Sequence, residues 1–207
     1  MKLEILTLPC GAYQENAYIV SAAGCEACAL IDPGDDLPAL RTALERTGKK
    51  AGSILLTHGH FDHTLAAEAL AAETGAPVYA HEADLEMLNN AAFNAYDPTV
   101  ARLPAPAHLS AQVYAETLTA CGMNFEILST PGHTKGSVCL YLPEEKALFS
   151  GDTLFQAGFG RMDLHGGSPA QMRASLKRLF ALPEDVKVYP GHGPQTTIGL
   201  EKARYHL

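Results

Sequence analysis

The stretch Thr57-His58-Gly59-His60-Phe61-Asp62-His63 packs three imidazoles and a carboxylate into seven residues, directly after the apolar run Ser53-Ile54-Leu55-Leu56. Groups of this kind repel one another or lack hydrogen-bond partners when crowded, so such a cluster tolerates burial only when something positively charged sits among them. Three more strand-like runs end in a comparable way: EILSTPG leads into His133, ALFSG into Asp152 and VKVYPG into His192. Glycine stands immediately before each of these three residues, twice preceded by proline, which permits the sharp backbone that aims a side chain inward. Loops at strand ends are where a rigid scaffold presents functional groups. The same chemistry at four strand ends therefore predicts one shared site.

The segments between these ends read as alternating strands and helices. Leu3 to Leu8, Ala17 to Val20 and Ala29 to Ile31 are short β-rich runs, the last closed by Asp32-Pro33-Gly34, and they predict antiparallel strands. Apolar positions at helical spacing predict helices over 37–46, 65–74 and 169–182, with Ser168 as the N-cap of the last, and a short terminal helix over 198–205. Further strands are predicted over 53–56, 78–80, 125–128, 138–142, 147–149 and 186–189, and the proline-bearing stretch 89–110 reads as a loop or lid. A chain of 207 residues fits one domain over 1–207, because single cores stop growing only near ~250 to 300 residues.

Composition narrows the function. Twenty-three acidic against fifteen basic side chains give a net charge of −8, which repels phosphate backbones and argues against a nucleic-acid partner. No apolar run approaches the ~18 residues of a membrane span. The opening MKLEILTLPCGAYQEN has no long apolar segment with a cleavage site, so a cytoplasmic location is expected. The five cysteines are odd in number and scattered, which suits free thiols, and Cys25-Glu26-Ala27-Cys28 lacks the second pair of a zinc ribbon and the following helix of a redox motif.

His58, His60, Asp62, His63, His133, Asp152 and His192 make seven donors, whereas a catalytic zinc takes about three protein ligands plus water. Seven suits two centres that share a carboxylate. Asp152 is the expected bridge, because a carboxylate has two oxygens and an imidazole offers a metal one free nitrogen. His81, His108, His165 and His206 lie outside the motifs and read as structural or solvated. Of these, His165, in the glycine-rich turn after Arg161, is the one placed to reach the mouth of a pocket.

The set H-x-H-x-D-H, P-G-H-T, G-D-T and P-G-H-G resembles the metallo-β-lactamase superfamily. Within it, FSGDTLFQAGFGRMDLHGGS with VYPGHGPQTTIGLEK is similar to the glyoxalase II-type thioester hydrolases, in their short, hydroxyacylglutathione hydrolase-like form. The resemblance runs over nearly the whole chain. It implies an α+β fold, a four-layer αββα sandwich, with His58, His60 and His133 on one metal, Asp62, His63 and His192 on the other, and Asp152 between them. Zinc is the expected metal, and the same donors accept iron or manganese. The implied substrate is a small-molecule thioester such as S-lactoylglutathione, attacked by a hydroxide shared between the ions and aimed by Asp62. Arg161 occupies the place of a basic residue facing the glycine of glutathione, and Lys135 and His165 are the other candidate substrate contacts.

Two departures bear on the substrate. Full-length glyoxalase II enzymes carry a C-terminal helical extension with cationic contacts to glutathione that this sequence lacks, and Asp163 and Pro194 stand where that pocket has tyrosines. An alternative of another class is a mononuclear iron persulfide dioxygenase, which shares H-x-H-x-D-H and a G-R-x-D segment. A β-lactam hydrolase and a non-catalytic metal-binding module are weaker alternatives. Nothing in the sequence points to an oligomeric state.

Overall fold

Successive residues of the central strands are buried against different partners, and this sets the layering. The computed structural model describes residues 2–205. In β2 (Glu15–Ala22) and β3 (Ala27–Ile31), Ala17, Ile19, Cys28 and Leu30 pack with Leu40 of α1 (Leu37–Thr47) and Leu70 of α3 (Ala67–Thr74). Their neighbours Tyr18, Val20, Ala29 and Ile31 pack instead with Phe125, Leu140 and Phe149. Strand side chains alternate sides, so a strand buried on both faces needs a layer on each. In β9 (Val138–Leu142), Leu140 and Leu142 enter that same central core, while Cys139 and Tyr141 join Met172, Leu176 and Leu179 of α5 (Pro169–Leu179). The outcome is helix, sheet, sheet, helix: the α+β sandwich expected from the sequence.

One sheet runs in the order β1 (Leu3–Cys10), β2, β3, β4 (Lys50–Leu55), β5 (Val78–Ala80) and β6 (Gln112–Val113). β1 to β3 pair antiparallel, and β3 to β6 pair parallel. The second sheet runs β12 (Thr196–Thr197), β11 (Lys187–Pro190), β10 (Ala147–Gly151), β9, β8 (Met123–Ser129) and β7 (Thr117–Ala120). β9 is antiparallel to both β8 and β10, and β10 is parallel to β11. β8, β10 and β11 therefore point the same way and deliver their following turns to one edge. These are the turns of His133, Asp152 and His192.

Several local details differ from the sequence reading. The helix expected over 65–74 is α3 alone, preceded by a separate single turn, α2 (Phe61–Thr64). The helix from Pro169 stops at Leu179, and its N-terminus is capped by Ser168, whose side chain accepts from Gln171 N at 3.4 Å. β6, β7 and β12 were not expected, since two to four largely exposed or polar residues carry no clear period. A 3₁₀ turn at Glu82–Asp84 and the short α4 (Leu85–Leu88) precede the 89–110 stretch, which is irregular throughout. α6 (Ile198–Arg204) closes the described chain, and His206 lies outside the described residues. All five cysteines are free. No helix among the described residues is long and apolar enough to cross a membrane.

Candidate metal centre

The parallel ends of β3 and β4 and the three co-directed ends of the second sheet meet across the sandwich. His58 lies in the bend that follows β4, and His60 (φ −71°, ψ 150°) is the N-cap of α2, which carries Asp62 and His63 in its single turn. His133, Asp152 and His192 follow β8, β10 and β11. Gly151, at φ +48°, lies so close to the Thr57 side chain that a Cβ there would collide with it. This is the close approach that joins the two sheets at the site.

Two triads of donor atoms result, each with all its atoms within 4.8 Å of one another: His58, His60 and His133, fully buried, and Asp62, His63 and His192, partly open. Asp152 lies between them. Its Oδ1 is 3.4 Å from His63 Nε2, and its Oδ2 is 3.5 Å from His133 Nε2 and 3.7 Å from His192 Nε2.

The ring orientations are set from outside the cluster. His133 Nδ1 donates to the Arg161 carbonyl at 2.7 Å, and His192 Nδ1 to the Tyr13 carbonyl at 3.2 Å. His63 Nδ1 donates to Asp32 Oδ2 at 3.0 Å. Thr57 Oγ1 gives its proton to the same Asp32 oxygen at 2.6 Å and so can only accept from His58 Nδ1, 3.1 Å away. With Nδ1 protonated and held, each of these four rings turns Nε2 inward. His60 is the exception: its Nδ1 faces His133 Nε2 at 2.8 Å, a contact of two ring nitrogens that a proton or a cation must mediate. Nε2 of His58, Nε2 of His63 and Oδ1 of Asp152 are buried without any hydrogen-bond partner. Orphaned acceptors of this kind, gathered around one point, fit divalent cations.

Electrostatics divide the triads. Burial, reinforced by the neighbouring imidazoles, pushes His58 well below its ordinary value and His60 down to about 3, so both are neutral bases ready to ligate. In the other triad burial works against charge, but Asp152 and Asp62 overcome it and raise His63 well above the ordinary value. His192 is likewise raised against the effect of burial, chiefly by Asp62 and Asp152. The carboxyls answer in kind: despite burial, His63 above all holds both Asp62 and Asp152 below the usual range.

Three acidic residues at the site went unread in the sequence. Asp32, in the left-handed region at φ +46°, accepts from Thr57 N at 2.7 Å as well as from Thr57 Oγ1 and His63. With His58 and His63 it forms a third donor group, but its oxygens are already engaged, which makes it a support for both triads. Its signal was present: β3 runs straight into Asp32 just as the other strands run into their donors. Asp84, buried, accepts from Gly59 N at 3.0 Å, Gly136 N at 2.7 Å and Thr134 Oγ1 at 2.7 Å, and so ties down the turns that carry His58, His60 and His133. Glu15 is fully buried near His63, and burial drives its carboxyl well above the usual range. No local pattern marks Asp84 or Glu15.

A cleft of about 520 Å³ opens over the cluster, lined by His60, Asp62, His133, Asp152 and His192, with Tyr13, Ala95, Asp97 and Arg161 at its sides. Arg161 makes paired hydrogen bonds of 2.8 and 2.7 Å to Asp163. Lys135 and His165, expected as substrate contacts, are not among the lining residues. Lys135 is exposed beside Gly166, and the turn at Gly166-Gly167 lays the His165 ring flat on Phe93, with centroids 4.0 Å apart and planes within 7°.

A sequence profile of the Metallo-beta-lactamase superfamily matches residues 10–192. The chain belongs to the metallo-beta-lactamase superfamily. Its superfamily fold is shared with a solved structure of TTHA1623 in a di-iron-bound form (42% identity, TM-score 0.84, 96% of each chain covered). It is shared also with the BLEG-1 B3 metallo-beta-lactamase (38% identity, TM-score 0.86, 97% of each chain). Among curated superfamily proteins, the hydroxyacylglutathione hydrolase GloC of Haemophilus influenzae is 35% identical over 209 residues, covering 98% of this chain and 95% of its own. The protein is thus a metal-dependent hydrolase of this superfamily with a His/Asp site. Its fit to divalent cations rests on the orphaned atoms described above.

Proposed function

We propose that this hydrolase cleaves small-molecule thioesters, with S-lactoylglutathione as the test substrate, using two divalent cations. His58, His60 and His133 hold one, Asp62, His63 and His192 the other, and Asp152 is shared. The observation that carries this reading is the position of Asp152, a partly buried carboxylate within 3.4 to 3.7 Å of ring nitrogens from both triads and with one oxygen, Oδ1, enclosed and unpartnered. When bound, such a pair of cations supplies Lewis acidity and brings the pKa of water toward neutrality.

The chain's own groups supply the rest. Asp62 faces the cleft with Oδ2 3.4 Å from His192 Nε2, placed to accept a hydrogen bond from the attacking water and aim its lone pair at the carbonyl carbon. A thiol of pKa near ~8.5 leaves as thiolate with little protonation, so no further general acid is required. Cys139 is fully buried in β9, and burial raises its thiol to about 11, which removes it as a nucleophile. Arg161 sits at the cleft wall, where its guanidinium can exchange the exposed Asp163 for a substrate carboxylate at small cost. The net charge of −8 and the size of the cleft favour a small molecule over nucleic acid.

The test pairs elemental analysis with thioester hydrolysis on one preparation. Two ions per chain with turnover of S-lactoylglutathione support the proposal. One iron per chain with oxygen consumption on glutathione persulfide would replace it with the dioxygenase reading. The likeness to BLEG-1 makes a β-lactam the control substrate, and preference for it over every thioester would replace the substrate class alone.

A further inference from the structure

Glu15 is 0% exposed, and neither of its carboxyl oxygens has a hydrogen-bond partner. Its Oε1 lies 3.7 Å from His63 Nδ1, on the side of the ring opposite the inward Nε2. Its backbone bridges that of His192, and the next residue, Asn16, donates to the Gly191 carbonyl at 2.7 Å. Glu15 thus touches two members of the second triad, one through its side chain and one through the main chain. Room for the carboxyl is provided opposite, where a Cβ on Gly34 would stand 2.6 Å from Glu15 Oε2.

A carboxyl in this position is a burden to the protein without cations, because water is excluded and no donor replaces it. A cation held at His63 Nε2 acts on that carboxyl through the ring. Coupling of this kind is reciprocal: whatever a bound cation does for Glu15, Glu15 does for the affinity of that cation. Asp32 already takes the His63 Nδ1 proton, so Glu15 adds a second carboxyl group behind the same ligand. Asp32 also reaches His58 through Thr57 and serves both triads, whereas Glu15 contacts only the second.

We propose that Glu15 is a positioning residue which, acting through His63, sets how tightly the Asp62–His63–His192 group retains its cation while leaving the His58–His60–His133 group unaffected. This rests on the two-cation reading above. The test is competitive zinc titration against a chromophoric chelator, giving two dissociation constants for the wild type, with Asp62→Ala identifying which belongs to the second group. Glu15→Gln, and Glu15→Met as a second variant of similar volume, should raise that constant about 10- to 100-fold, the range for groups that orient a ligand histidine, and leave the other unchanged. The metal-stripped variants should unfold at the same temperature as stripped wild type or higher, since a buried unpaired carboxyl has been removed. Unchanged constants together with a lower melting temperature of the stripped variants would show a merely structural role and overturn the inference. A wild type that takes up fewer than two ions would instead overturn the two-cation reading, and this inference with it.

Discussion

The two triads are built from similar side chains and held in opposite ways. His58, His60 and His133 form an all-imidazole group whose turns are tied from a distance, by the backbone and hydroxyl hydrogen bonds of Asp84. Asp62, His63 and His192 have carboxyl groups in direct contact: Asp32 and Glu15 behind His63, and Asp152 in front of it. In the first group His58 and His60 are kept neutral by burial and the neighbouring imidazoles, and the second group carries internal ion pairs. The difference teaches that one group holds uncharged His58 and His60 without a carboxylate of its own, while the other has its imidazole charge partly balanced by its own carboxylates.

Asp152 is where this contrast should vanish, because it faces both triads. Asp152→Ala should lower kcat/KM for the thioester by more than about 10³-fold, roughly 4 kcal/mol of transition-state stabilisation, and reduce the bound metal of both groups. A variant that keeps two ions and near-normal turnover would show that the triads function separately. Removing the remote support of the first triad should act on stability. Asp84→Ala leaves Gly59 N, Gly136 N and Thr134 Oγ1 without their acceptor and should cost about 3 kcal/mol in denaturant unfolding of the metal-free protein. Equal stability would mean that the first triad does not depend on those bonds.

Asp32→Asn tests the shared support. It should weaken both dissociation constants, each by about 10- to 100-fold, in contrast to the one-sided effect expected at Glu15. Loss in a single group would break the link through Thr57.

The pH dependence of the metal-free protein sharpens the contrast further, because the two triads should limit stability from opposite sides. His58 and His60 have folded values below the ordinary 6.5, so the unfolded chain binds more protons below that pH. Their contribution is present above 6.5 and is lost as pH falls from 6.5 toward about 3. His63 and His192 are raised above 6.5, so their contribution is present below that pH and is lost as pH rises through the folded values. Melting temperature should therefore peak at pH about 6 to 7, with His60→Ala flattening the acid limb and His63→Ala the alkaline one. The smallest effect belongs to Arg161, at the cleft wall and outside both triads. Arg161→Ala should raise KM for a carboxylate-bearing thioester by about tenfold, roughly 1.4 kcal/mol, with kcat little changed.

Much of this was legible in the chain. Strands such as 17–20, 29–31 and 138–142 were readable as short β-rich runs, and the four-layer fold was implied by the resemblance that the H-x-H-x-D-H, P-G-H-T, G-D-T and P-G-H-G motifs carry. Four strand ends carrying His58, His133, Asp152 and His192 pointed to one site, because period-two geometry and glycine-bearing turns are local properties readable from neighbouring residues. The candidate donors themselves need no more than this. What local pattern could not reveal were the supports. Glu15 and His63 lie 48 positions apart in the sequence, and Asp84 reaches turns 25 to 52 positions away. Lys135 and His165 lie outside the cleft lining for the same reason, since their direction is decided by packing on Gly166 and Phe93.

The sequence by itself determined which side chains can bind a cation and that strand ends would present them. Only the tertiary structure decided which nitrogen of each ring faces inward and which carboxyl stands behind it. The physical reason is that backbone periodicity acts over a few residues, whereas proton placement and buried charge depend on every group that folding brings within a few ångströms.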